Sequence, residues 1–221
     1  MKKKIGIFIF IVICSTVMLS DWIERIYIGR LAGLPGRYNN YVGIQKEQKD
    51  SIDMLVIGDS ESMTSISPME LWKSTGITSY ICGQSAQRIS ESYYMLKHAL
   101  DYQSPQVVLL ETNMLFRYTN TPDSLRSSIS DTAMYYFPVL QYHNLWKNIV
   151  NDQIPEGWQS YKGFAIRPGV APYSKGSYMK KTKKEKEIPQ INLWYLDKIR
   201  KLCEKKQNSA LALHIGFSGE S

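Results

Sequence analysis

The chain has 221 residues, 43% hydrophobic and 21% charged, with a formal net charge of +7. Its apolar share and lack of any sustained repeat exclude a disordered chain, a collagen and a coiled coil, and its length suits one α/β domain with an appendage. No pair among Cys14, Cys82 and Cys203 shows metal-ligand spacing, and Cys14 lies inside the first apolar run, which excludes a disulfide framework; the basic excess gathers at the N-terminus and between Lys175 and Lys206, away from any nucleic-acid-reading motif.

Lys2, Lys3 and Lys4 precede sixteen uncharged residues, Ile5 to Ser20. As a helix that run spans roughly 24 Å, short of a hydrocarbon core of about 30 Å. Three readings are open. A cleaved signal peptide wants small residues before the cut, where Met18 and Ser20 stand; a lipoprotein signal wants one before Cys14, where Ile13 stands. An uncleaved anchor over 5–28 gains length through Trp22, Ile23, Ile26 and Tyr27. The third is a buried helix of a soluble protein. The anchor is the reading adopted, with residues 1–4 as a cytoplasmic tip and the main domain outside the cytoplasm.

Residues 29–51, with Gly29, Gly33, Pro35 and Gly36, read as a linker. Ile52 to Ile57 is a short apolar strand ending at Gly58, and Ser79 to Cys82 a second ending at Gly83. Gln87 to Tyr102 is a helix with Ile89, Tyr93, Leu96 and Leu100 on one face, and Gln106 to Glu111 is a third strand. Residues 151–186 are too long for a plain connection and read as a basic, aromatic insertion. Its run from Lys180 to Glu187 reads as a solvated approach to the next helix, or as a contact with anionic lipid or polymer. Pro189 opens that helix, which runs to about Lys206, and Ala210 to Ile215 is a fourth strand. The alternation predicts an α/β domain over 52–221, a parallel sheet with helices on both faces.

Ligands of open parallel sheets bind beyond the carboxyl ends of the strands. The first strand runs into Gly58-Asp59-Ser60-Glu61-Ser62, and a serine on a tight turn there is held where a nucleophile must stand. The second leads to Gly83-Gln84-Ser85-Ala86, whose backbone N–H groups suit an oxyanion, and the third to Glu111-Thr112-Asn113, whose amide can donate to the same oxygen. Each has a plainer alternative: Ser60 as a capping turn residue, Gly83 as a turn glycine, Asn113 as a loop residue satisfying backbone groups.

Together these blocks resemble the SGNH/GDSL hydrolase family: Ile57-Gly58-Asp59-Ser60 as its first block, Cys82-Gly83-Gln84-Ser85-Ala86-Gln87 as its second, and Glu111-Thr112-Asn113 as its asparagine block. The resemblance covers about 52–117. It implies a three-layer sandwich around a mostly parallel flavodoxin-like sheet, with Ser60 as nucleophile and Gly83, Ala86 and Asn113 around the oxyanion. The anchored form resembles the branch that works beside membrane-bound O-acyltransferases, on acylated polysaccharide or another cell-envelope polymer. No cofactor, metal or nucleic acid is implied.

Ala86 stands where many relatives carry glycine. The family's base comes from a late Asp-x-x-His, which none of the three histidines matches. His98 is expected on the solvent side of its helix and His143 to pack or cap an aromatic helix; His214, near a strand's carboxyl end, is the least implausible substitute base. The expectation is therefore a truncated domain, incomplete at its C-terminus and catalytically incompetent for lack of its base. The competing class is a non-catalytic envelope protein that binds glycan or a membrane partner.

Overall fold

A computed structural model describes residues 2–30, 39–117, 121–141, 161–166, 169, 187–205 and 210–214. The chain opens with α1 (Lys2–Arg30), a single helix of 29 residues. Its segment Lys3–Ile23 is long and apolar enough to cross a membrane, and almost none of it is buried against the rest of the chain. Twenty-one residues span about 31 Å, matching a hydrocarbon core of about 30 Å. The helix runs unbroken past Ser20, so Trp22 and Ile23 supply the length that the uncharged run lacks.

Four parallel strands follow: β1 (Met54–Gly58), β2 (Ser79–Gly83), β3 (Val107–Glu111) and β4 (Ala210–His214). Their order in the sheet is β2-β1-β3-β4. The register pairs Gly58 with Gly83, Ile57 with Leu110 and Glu111 with His214, so the strands finish nearly level. Leu55, Val56 and Ile57 are all buried in succession. Consecutive residues point to opposite faces, so both faces of β1 are covered, and that is why the strand reads as a continuous apolar run.

The remaining elements are α2 (Asn39–Lys46), α3 (Ser62–Ser65), α4 (Pro68–Thr75), α5 (Ile89–Ala99), a 3-10 turn (Asn113–Phe116), α6 (Thr121–Tyr136), α7 (Pro138–Gln141) and α8 (Gln190–Lys205). In α5, Ile89, Leu96 and Leu100 are buried as the periodicity predicts, and Tyr93 is half-buried. Tyr94, Met95 and Ala99 are buried too, because α2, α6 and α8 pack on this helix from outside while β1 and β2 lie beneath it. The second half of the stretch read as a linker thus belongs to the domain: α2 buries Val42 and Ile44 and packs on β2 and α5. Of the insertion, 161–166 is described. Its Lys162 carbonyl accepts the Ile81 N–H at 2.9 Å, so this piece covers the edge of β2 that no strand among the described residues pairs with.

Helix α6 is built against its own sequence pattern. Its buried residues are Ser124, Ser128 and Asp131, at i, i+4 and i+7, while Leu125 and Ile129 are exposed. The polar face is held inside by specific bonds. Arg88 Nε donates to Asp131 Oδ2 at 3.0 Å, Ser90 donates to the same carboxylate, and Thr132 meets Tyr94 at 2.7 Å. Paired and hydrogen-bonded, these groups avoid the desolvation cost that bare burial would impose.

Candidate functional site

Strand order reverses around β1: the chain passes from β1 to β2 on one side, then returns to β3 on the other. The crevice beyond the carboxyl ends of β1 and β3 is where ligands of open parallel sheets bind. The chain places the three singled-out turns there and ties them together. Asp59 N–H donates to Glu111 Oε2 at 2.8 Å, joining the first turn to the third. Gln84 N–H reaches the Gly58 carbonyl at 3.4 Å, joining the second to the first. Asn113 Nδ2 donates to Glu61 Oε2 at 2.8 Å, and Arg117 pairs with the buried carboxylate of Asp59.

Gly58 serves this assembly differently from what a turn glycine does. Its φ is not positive, and it sits in the last position of β1. A Cβ there would lie 2.4 Å from Ser62 Oγ and 2.5 Å from Glu111 Oε2. The glycine is required by close approach. Gly83 is hemmed similarly, by Ser62 Oγ at 2.9 Å and Met63 Cγ at 3.0 Å, and its carbonyl accepts from Asn40 of α2. The left-handed conformation falls instead on Ala86, at φ 54°. An alanine there is strained by about 1–2 kcal/mol where a glycine would not be. Gln87, fully buried, holds the loop by donating to the Cys82 carbonyl at 3.3 Å and to Ser92 at 2.9 Å.

The two serines of the first turn are distinguishable. Ser62 is buried and donates to the Asp59 carbonyl at 2.8 Å, a structural role. Ser60 is half-buried, and its own carbonyl accepts from Thr64 at 3.2 Å. Asn113 spends one amide hydrogen on Glu61 and has a second to offer, since a carboxamide carries two.

Glu111 is the residue that the motif reading passed over. It is 1% exposed, and its Oε1 has no hydrogen-bond partner among the described residues. Burial, reinforced by the carboxylates of Asp59 and Glu61, outweighs the Asp59 N–H donor and pushes the Glu111 carboxyl up to about 7. Placed as the last residue of an apolar strand, it carries a signal that position alone could have supplied: a carboxylate where a buried strand meets a site. Asp59 and Arg117 pair across 58 residues, a separation that no local pattern reveals.

The histidines divide. His98, expected to face solvent, is instead covered by α2 and its ring lies 4.9 Å from that of Tyr41 and 5.3 Å from that of Tyr102. Its Nε2 is 3.1 Å from the Tyr41 carbonyl, and burial pushes its pKa down. The expectation failed because α2, which packs on both β2 and α5, closes over the flank of α5 that carries His98. His98 also sits in the last turn of α5, far from the N-terminal end that follows the second turn. The backbone of His214 pairs with Glu111 at the carboxyl edge of the sheet. His143 and most of the basic run 180–187 lie outside the described residues. Compared with known proteins, the chain matches no family model, no curated protein and no solved structure.

Proposed function

We propose that the chain is a membrane-anchored SGNH-like serine esterase, or the component of an O-acyltransferase system, acting outside the cytoplasm on acylated cell-envelope polysaccharide. The observation that supports this reading is the convergence of three strand-end turns, bearing Ser60, Gly83–Ala86 and Asn113, at the switch point of a parallel sheet of order 2-1-3-4. That order is the one expected of the first strands of a flavodoxin-like, three-layer SGNH domain.

In this reading Ser60 Oγ attacks the acyl carbonyl as its proton passes to a base. The carbonyl oxygen takes the negative charge and is met by the N–H of Ser60, the Gly83–Ala86 loop and the second Asn113 amide hydrogen. The ester C–O bond then breaks, the alcohol leaves with a proton, and the acyl group stays on Ser60. Water completes hydrolysis; a sugar hydroxyl completes transfer. The base is unassigned; His214, whose backbone pairs with Glu111 in the strand ladder, is a weak candidate for it. A serine without a well-oriented base is a poor nucleophile, so little or no turnover is expected of this chain. The anchor keeps this chemistry at the membrane surface, where a membrane-bound O-acyltransferase would be the partner.

The test is labelling of the full chain by a fluorophosphonate, together with hydrolysis of an aryl acetate. Ser60→Ala should remove the label and the enzymatic part of the rate. Equal labelling and equal rates for both forms would refute the nucleophile and favour the non-catalytic glycan- or partner-binding reading.

A further inference from the structure

Helix α6 turns Leu125 and Ile129 outward, while Tyr135 near its end packs on the core, and the outward residues border one groove. Leu125, Ile129, Ala133 and Phe137 line a groove of about 420 Å³ whose far wall is Ile191 and Trp194 of α8. Ile129 is 62% exposed and Trp194 49%, although the helix had a buried face available and filled it with serines and an aspartate. An amphipathic helix turned inside out in this way has a second apolar environment to meet.

The chain itself indicates which. Tyr136 at the end of α6 walls both this groove and a second cavity lined by Val17, Ser20 and Asp21 of α1. The next helix, α7, packs on α1, where Val139 N–H donates to Ser20 Oγ at 3.3 Å, and its Leu140 is exposed. Val17 and Ser20 belong to the apolar span Lys3–Ile23. Through α7 the outward surface of α6 therefore adjoins the end of that span, beside a cavity that Asp21, Lys97 and Asp101 also line. Its composition fits the interfacial zone of a bilayer, where aromatic rings and the stems of cations gather. Tyr136 and Trp194 supply the rings; Lys97 stands 5.2 Å from the Tyr136 ring centre and Lys198 3.9 Å from that of Trp194.

We propose that the α6–α8 groove and α7 form a membrane-docking face, which lies in the outer interfacial layer of the bilayer that α1 crosses. This rests on α1 being a transmembrane anchor. The face would hold the domain down against the lipid surface and give it a fixed orientation there.

The experiment uses the full chain in phosphatidylcholine nanodiscs containing a fraction of brominated lipid. An environment-sensitive fluorophore is attached at native Cys14, or at Ile129→Cys or Lys73→Cys in a Cys14→Ser background; Cys82 and Cys203 are buried. Lys73 is an exposed residue of α4 and serves as the control. The expected result is strong quenching at Cys14 and at Ile129→Cys, at least severalfold above that at Lys73→Cys, with a blue shift at Ile129→Cys. Absence of quenching at Cys14 would remove the anchor and this inference with it. Quenching at Cys14 with Ile129→Cys no different from Lys73→Cys would leave the anchor standing and overturn the docking face. A blue shift at Ile129→Cys without lipid quenching would mark a protein contact, and would overturn it equally.

Discussion

Glu111→Gln probes the packing of the candidate site most directly. The carboxyl is held at about 7 against an ordinary value of 4.5, burial being the main cause. Below pH 4.5 the group is protonated whether the chain is folded or unfolded, and its contribution to the pH dependence is nil. Between 4.5 and 7 the unfolded chain has released the proton while the folded one keeps it, so stability falls as pH rises. Above 7 both forms are ionised, and the loss is complete. A shift of this size corresponds to about 3 kcal/mol. Gln keeps a carbonyl oxygen for the Asp59 N–H and cannot ionise. Its amide hydrogens enter a space where Oε1 had no partner, so its absolute stability carries an extra cost of about 1–3 kcal/mol at every pH. The informative quantity is therefore the slope. Unfolding free energies of the full chain in detergent micelles, from urea titrations between pH 4 and 8, should decline for the parent relative to the variant by about 3 kcal/mol, most of it between pH 4.5 and 7. Parallel curves for the two proteins would refute the account, since the histidines and other carboxylates titrate in both.

Three further changes test neighbouring parts of the structure. Gly58→Ala puts a methyl group against Ser62 and Glu111 and should cost about 1–3 kcal/mol, read as a lowered urea midpoint; a neutral effect would show that the turn yields. Ala86→Gly relieves the left-handed backbone and should stabilise by about 1 kcal/mol, despite the entropy glycine adds to the unfolded chain; a loss would mean the methyl group packs usefully. Asp131→Ala removes one of the two carboxylates that hold the Arg88 guanidinium, leaving Glu91, and should cost about 1–3 kcal/mol, whereas Arg200→Ala, which breaks exposed pairs with Asp197 and Glu204, should leave the urea midpoint nearly unchanged. Comparable losses for the two would remove the distinction between buried and exposed pairs.

Much of the secondary structure was legible because each strand is a self-contained pattern. The apolar runs before Gly58, after Gly76 and before Thr112 appear as β1, β2 and β3 within a residue or two of their expected bounds. Pro189 opens α8 as predicted, since proline fits the residues just before a helix interior. Helices α2 and α6 were not legible. The first is short and weakly patterned, and is held by Val42 and Ile44 packing into a core assembled from elsewhere. The second buries hydroxyls and a carboxylate, whose cost is met only by partners on α5. The candidate site divides along the same line. Ser60, Gly83 and Asn113 follow from strands that end at one edge of a parallel sheet. The Asp59–Arg117 pair, the loose Glu111 oxygen and the occupied hydrogen of Asn113 do not, because each depends on which group arrives from 50 or so residues away.

The sequence by itself therefore determined the α/β alternation, the apolar N-terminal helix and the positions of three strand-end turns, all consequences of periodicity and local backbone chemistry. Only the tertiary structure decided which faces are covered. It partly covered His98 with α2, turned Leu125 and Ile129 of α6 outward, and made Gly58 a matter of clearance. Burial and charge pairing are properties of neighbours, and neighbours distant along the chain are chosen by the fold.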